Sequence, residues 1–308
     1  MHTVAPYTIR CFNPAIGAKK IEDNYCVLDK IGDSDLYELL KTFVELYSSN
    51  YQIVENSKQV YKFSDITFDG NFRHISGWFQ VGAYGIKTDI INIESGEVDF
   101  EKAQNNAEIL KHYFHIFIPS GFNEAICMMH SYKGHGVKTL FSEIFFPYFN
   151  SVTKLNLQMR PLAYEQAIEA WQEANTKELK VTKFVGLTDI ADQIKSLGHD
   201  EQELIMKPPR KGTLGKLKDY FNKDSEQAQA VEVLSEFGSQ VKTVVDLDGK
   251  KRTFIVGANA KNSICQIDLD DEVEIKDGIP EIDSIRKWVH QIISDYATSM
   301  YPGLKVKV

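Results

Sequence analysis

The run Tyr132-Lys133-Gly134-His135-Gly136-Val137-Lys138-Thr139 lies between an apolar strand pattern and an apolar helix pattern. A strand, a glycine turn and a helix start together aim free backbone N–H groups at an anion, and the helix dipole assists. Gly134, His135, Gly136 and Thr139 therefore read as an anion-binding loop, with Lys133 and Lys138 as added donors. The order departs from the nucleotide loop G-x-x-x-x-G-K-[ST], because Val137 separates Gly136 from Lys138 and Ser131 stands where the first glycine belongs. An NTPase is not expected.

A second set is Lys207, Arg210, Lys211, Lys216 and Lys218, all ahead of the first following acid, Asp219. Pro208 and Pro209 stiffen this stretch, and Gly212 and Gly215 permit close approach. With a helix starting at Thr213, Lys216 falls on its first turn and Lys218 further along, a layout that grips backbone phosphates without reading bases. Lys250, Lys251 and Arg252 form another basic spot. Charge runs are also ordinary solvated surface, so the stretch by itself leaves both readings open.

Catalysis has one spelling. Asp268 and Asp270 precede Glu274 and Lys276 as an acid followed by E-x-K, a pattern by which nucleases hold Mg²⁺ and orient water. The same residues read as an acidic exposed loop, so no catalytic residue is assigned on the main reading. His112 and His115 are three apart on a strand pattern and face opposite sides, which prevents them from sharing a metal. His130 and His135 bracket the glycine loop. The four cysteines, Cys11, Cys26, Cys127 and Cys265, are scattered with no C-x-x-C pair. Reduced thiols, no metal and no cofactor are expected.

The chain that must position these groups has 308 residues, 43% of them hydrophobic, enough for about two domains with their own cores. Basic residues number 35 and acidic ones 43, a net charge of −8. That balance argues against a dedicated nucleic-acid domain but not against a local basic face, since charge is screened beyond about 8 Å at physiological salt. No apolar run approaches the roughly 18 residues of a membrane span, and Met1–Tyr7 lacks the basic-then-apolar order of a secretory signal. A cytoplasmic protein with no membrane insertion of its own is expected.

Strands are predicted over Tyr7–Phe12, Tyr25–Leu28, Val60–Phe68, Arg73–Tyr84 and Lys87–Ile93, with a helix beginning near Ser34 on the Leu36, Leu39, Leu40, Phe43, Tyr47 stripe. Phe100–Leu110 reads as a helix. Strands His112–Ile118, Glu124–Tyr132 and Leu155–Arg160 follow, with a helix over Thr139–Phe149. A helix carrying Tyr164, Ala167, Ile168 and Trp171, strand Leu179–Val185, helix Thr188–Leu197 and strand Glu203–Met206 suggest a partly parallel layer. Val241–Leu247 and Lys250–Val256 flank Asp248-Gly249, a strong hairpin signal. Ile264–Leu269 adds a strand, and Ile282, Ile285, Val289, Ile292, Ile293 and Tyr296 mark a closing amphipathic helix. The expected fold is a mixed α+β protein with domains at 1–180 and 181–308. The first half is β-rich with inserted helices, and the second is an α/β layer ending in the amphipathic helix.

The succession Val181-Thr182-Lys183-Phe184-Val185-Gly186, then Leu204-Ile205-Met206-Lys207-Pro208 with basic residues beyond, then the hairpin and closing helix, resembles the RexA-like and KwaB-like phage-defence proteins. The likeness is one of layout and covers roughly residues 110–308. It implies a bacterial anti-phage protein, a homodimer that contacts DNA, with RNA as the alternative, without strong sequence preference, in company with another defence protein. The carry-over is confined to Lys207, Arg210, Lys211, Lys216 and Lys218; the acidic balance of the whole chain is a departure. The expectation is thus non-sequence-specific nucleic-acid binding through a local basic face, with Lys133 and Lys138 as a second contact. A Mg²⁺-dependent nuclease and a nucleotide- or partner-sensing module are the alternatives.

Overall fold

The computed structural model describes residues 2–162, 171–182, 203–222, 224–238, 240–247, 250–256, 265–301 and 303–304. The expected helix over Tyr164–Ile168, the helix Thr188–Leu197, the end of the strand past Thr182 and the Asp248-Gly249 turn lie outside them, as does the side chain of Cys265. The architecture is mixed α+β, built on antiparallel strands. Each strand pair with a defined register is antiparallel, which replaces the partly parallel layer expected from alternating strands and helices.

The chain forms two compact units, each made of separate stretches. The first takes the described residues of Met1–Tyr7, Arg160–Asp271 and Ser294–Val306; the second takes those of Thr8–Met159 and Glu272–Ile293. A cut at 180/181 would sever a strand: Asn175–Thr182 crosses that point and pairs through Val181 with Val241.

In the second unit the strands are β1 (His2–Phe12, whose last residues belong here), β2 (Gln52–Val54), β3 (Gln59–Asp69), β4 (His74–Ala83), β5 (Thr88–Ile91), β6 (Val98–Lys102), β7 (Glu108–Phe117) and β8 (Ala125–Tyr132). The sheet order is β1-β8-β7-β4-β3-β2, with β9 (Asn156–Pro161) pairing β1. β5 and β6 form a separate hairpin. The stretch expected as a helix, Phe100–Leu110, is instead the end of β6, a connection at 103–107 and the start of β7; Val98, Phe100 and Lys102 alternate with acids, a period of two that the propensity of Lys, Ala and Glu obscures. Tyr25 makes only an isolated bridge to Phe12. Helix α1 (Leu36–Leu46) is capped by Asp35, not Ser34: its carboxylate accepts from the Tyr37 N–H at 2.7 Å and also takes both Arg73 guanidinium nitrogens, at 2.7 and 2.8 Å. Helix α2 (Lys138–Thr153) lies beside α1. Phe43 of α1 meets Phe63 of β3 and Phe145 of α2 at ring separations of 5.9 and 5.0 Å, and Phe79 of β4 meets Phe141 of α2 at 6.3 Å.

In the first unit, β10 (Asn175–Thr182), β11 (Glu203–Met206), β12 (Gln240–Leu247), β13 (Lys250–Val256) and β14 (Cys265–Asp268) run in the order β11-β10-β12-β13-β14, and the start of β1 pairs β14. Leu247 opposite Lys250 leaves the two-residue connection that the sequence called for. Leu179, Val181, Val241 and Val256 pack with Tyr220 and with Val231 of helix α3 (Glu226–Ser235). Helix α4 (Ile282–Met300) closes the chain and belongs to the second unit up to Ile293.

Candidate functional site

The basic stretch of the first unit is fastened to β10. Thr176 N–H donates to the Gly215 carbonyl at 2.8 Å, Leu214 N–H donates to the Thr176 carbonyl at 3.0 Å, and Lys216 bridges Asn175. No helix starts at Thr213. That residue instead makes a local turn, its hydroxyl accepting from Gly215 N–H at 2.9 Å, and a short 3₁₀ turn over Leu217–Phe221 follows with Lys216 as its cap. The difference is physical: a Gly215 at φ +100 cannot sit inside a helix.

All five cations are exposed. Lys216 and Lys218 both reach Glu173, at 2.6 and 2.5 Å, and Lys207 reaches Glu178 at 3.1 Å. The hydrogen bonds of Lys216 and Lys218 hold the Glu173 carboxyl down at about 2. Lys180 also lies 3.6 Å from Glu178, and Asp219 accepts the Lys216 N–H at 2.9 Å. Arg210 and Lys211 make no ion pair with a described residue. Around this margin four cations, Lys180, Lys207, Lys216 and Lys218, pair with two carboxylates, Glu178 and Glu173, in a chain of net charge −8.

The glycine loop of the second unit closes on itself. Tyr132 and His135 exchange backbone hydrogen bonds at 3.1 and 2.9 Å, and Lys133 and Gly134 between them both have left-handed φ, +49 and +81. The His135 N–H is therefore spent within the turn. Lys133 sits over the Tyr132 ring at 5.5 Å, and Gly136 and Thr139 remain exposed beside Lys138, where α2 begins without a side-chain cap.

Asp268, Asp270, Glu274 and Lys276 do not gather as a metal set among the described residues. Asp268 accepts from the Thr253 hydroxyl at 2.9 Å, and Lys276 pairs with Glu274 itself at 3.3 Å, as neighbours on an exposed turn do.

A group that spacing along the chain did not disclose lies in the second unit. Register places it: Asp69 is opposite His74, Thr67 opposite Ser76, Ser76 opposite His115, and His74 opposite Phe117. Alternation then puts Thr67, Asp69, His74, Ser76, His115 and Phe117 on one face of three adjacent strands. On α4, Asp283, Arg286, Lys287, His290 and Gln291 recur at helical spacing and line the same cavity of about 430 Å³. Each imidazole of His74, His115 and His290 offers a nitrogen within 4.8 Å of the other two. His74 Nδ1 faces His115 Nε2 at 3.0 Å, and the His290 ring lies 4.8 and 5.8 Å from those two rings, centre to centre. Phe117 stacks on His74 at 4.6 Å. The His115 Nδ1 meets the Tyr113 hydroxyl at 3.3 Å. Arg286 pairs with Asp283 at 2.6 Å.

His74 and His115 are buried, and burial is the main cause that lowers both pKa values, with neighbouring imidazoles adding to it; His74 falls to about 4 and His115 well below its ordinary value. Both are therefore neutral near pH 7, the state in which imidazole ligates a cation. Among the described residues, His74 Nε2 is buried without a hydrogen-bond partner. His112 and His115 do face apart as expected: the ring of His112 neighbours His130 at 5.9 Å, away from this cluster. The signal in the sequence was the polar stripe of α4, which repeats every three or four residues opposite the apolar stripe that defined the helix.

No helix among the described residues is long and apolar enough to cross a membrane. Set beside known proteins, the chain matches no family model, and no curated protein is similar to it.

Proposed function

We propose that this protein binds nucleic acid without sequence preference, holding backbone phosphates on the margin of the first unit formed by Lys207, Arg210, Lys211, Lys216 and Lys218. One observation carries the reading: backbone hydrogen bonds of Thr176 with Gly215 and Leu214 fasten the end of this stretch to β10, where Lys207, Lys216 and Lys218 share two carboxylates while Arg210 and Lys211 pair with no described one. Arg210 and Lys211 supply the primary contacts, because they need not leave a described carboxylate to reach a phosphate. Lys216 and Lys218 exchange Glu173 for phosphate at a cost, since exposed ion pairs are worth less than about 1 kcal/mol. Lys133 and Lys138 provide a further contact in the second unit. The resemblance in layout to RexA-like and KwaB-like proteins supports the same reading and supplies its setting, anti-phage defence in the bacterial cytoplasm by a homodimer.

The test is a salt titration of affinity for a random-sequence duplex. The logarithm of the association constant should fall linearly with the logarithm of salt concentration, by about one unit of slope per phosphate contact. Replacing Arg210 and Lys211 by Ala should lower the slope by about two. A parent protein whose affinity ignores salt ends the proposal. Light scattering on the same sample reads the dimer.

A further inference from the structure

Three imidazoles, one from each of β4, β7 and α4, converge at the wall of a cavity in the second unit, and nothing in the phosphate-binding reading uses them. His74 Nδ1 and His115 Nε2 face each other at 3.0 Å between two buried rings, with room for at most one proton between them. Among the described residues, no carboxylate hydrogen-bonds the ring of His74 or His115.

We propose that His74, His115 and His290 form a zinc site whose fourth coordination position opens into the cavity and takes an oxyanion. The donor set is right for the metal: imidazole nitrogens suit Zn²⁺, and three protein ligands with an open position are the catalytic and ligand-binding form of such sites. Bonds of about 2.0–2.1 Å in a tetrahedron put ligand nitrogens roughly 3.3 Å apart; His74 Nδ1 and His115 Nε2, 3.0 Å apart, already stand near that spacing, and the nitrogen of the half-buried His290, within 4.8 Å, has to close in as the ion binds. The outer shell is in place as well. The Tyr113 hydroxyl at His115 Nδ1 fixes the ring so that Nε2 points at the metal, the arrangement that orients ligating histidines generally. Phe117, stacked on His74, holds that ring in plane.

Charge selects the fourth ligand. The cavity lining carries Asp69 and Asp283 against Arg286 and Lys287, so it is balanced without the metal. A dication makes it positive. Arg286 and Lys287 precede His290 by four and three residues, one helical turn, and line the same cavity, Arg286 paired there with Asp283. A phosphate or similar oxyanion satisfies metal and cations together.

The experiment uses the full chain stripped with a chelator and loaded with Co²⁺, a spectroscopic stand-in for Zn²⁺. Uptake of one equivalent per chain, with the intense visible bands of tetrahedral cobalt, is expected, and Zn²⁺ should displace it. His290→Gln, a helix-face change at a half-buried position, should weaken Zn²⁺ binding by about a hundredfold or more, since loss of mere outer-shell partners already costs 10–100-fold. His135→Gln, in the exposed glycine loop, should leave it unchanged. Inorganic phosphate should shift the cobalt bands in the parent protein and much less in Arg286→Met. Absence of stoichiometric uptake by the parent overturns the site, and so does an unchanged affinity in a folded His290→Gln protein. Cobalt bands indifferent to phosphate overturn the oxyanion. Because the cobalt spectrum of the parent decides the matter, a variant that fails to fold does not protect the proposal. Salt titration of DNA affinity is a separate measurement, so either reading can fail alone.

Discussion

The cationic margin of the first unit and the histidine pocket of the second are opposite solutions to placing charge-bearing chemistry. The margin gathers long, exposed side chains from one short stretch, Lys207–Lys218, pinned at a few backbone hydrogen bonds. Each member is cheap to place and cheap to lose, and several already lean on carboxylates. The pocket gathers short, stiff rings from strands and a helix far apart in the chain, two of them buried and one stacked on Phe117. Its members are expensive to place and geometrically exact in consequence, because desolvation must be offset by packing and by whatever the nitrogens bind. A diffuse polyanion needs only the first kind of site. A metal ion needs the second.

Substitutions should separate the two regions, starting with the largest effect. Phe117→Ala removes the ring beneath His74 and opens a cavity in a filled sheet; urea unfolding should show a loss of about 3–5 kcal/mol, with DNA affinity of the folded fraction unchanged. Equal losses from a surface position such as Lys211→Ala would erase the contrast. Asp35→Ala strips α1 of its cap and leaves the half-buried Arg73 guanidinium without its bidentate partner. That should cost about 2–3 kcal/mol in the same unfolding measurement, and a cost near zero would mean the ion pair is as loose as a surface one. In the first unit, Arg210→Ala with Lys211→Ala should change stability by less than about 0.5 kcal/mol per site while lowering the salt slope of DNA affinity by about two. Lys216→Ala with Lys218→Ala should remove less of that affinity, since those two already answer to Glu173. Smallest of all, Glu173→Gln should shift the thermal midpoint little, as expected of exposed pairs, yet tighten DNA binding by freeing two lysines. Weaker binding in that variant would show that Glu173 orients the lysines for phosphate and does not compete with it.

Much of the architecture was legible from short-range pattern. Strand patterns marked β3, β4 and β8 nearly to their ends and the later part of β7, the two-residue connection after Leu247 matched the β12–β13 register, and the α4 stripe was continuous. Where local signals competed, reading failed. The residues of β6 carry helix-prone Lys and Glu, but a partner strand, β5, supplies hydrogen bonds that propensity does not anticipate. The start of α1 moved by one residue because Asp35 bonds the Tyr37 N–H and Arg73 at once, and Arg73 comes from the distant turn between β3 and β4.

By itself, the order of amino acids determined which segments become strands and helices, how acidic the chain is, and that one stretch near its last third concentrates positive charge. Those are properties of neighbours, set by spacing and composition within a few residues. Only the tertiary structure decided that Glu173 and Glu178 stand against three of those cations, and that His74, His115 and His290 meet. Each of those meetings depends on strand register and helix placement over long loops, where a shift of one residue turns every side chain to the other face, and no local pattern records such long-range pairing.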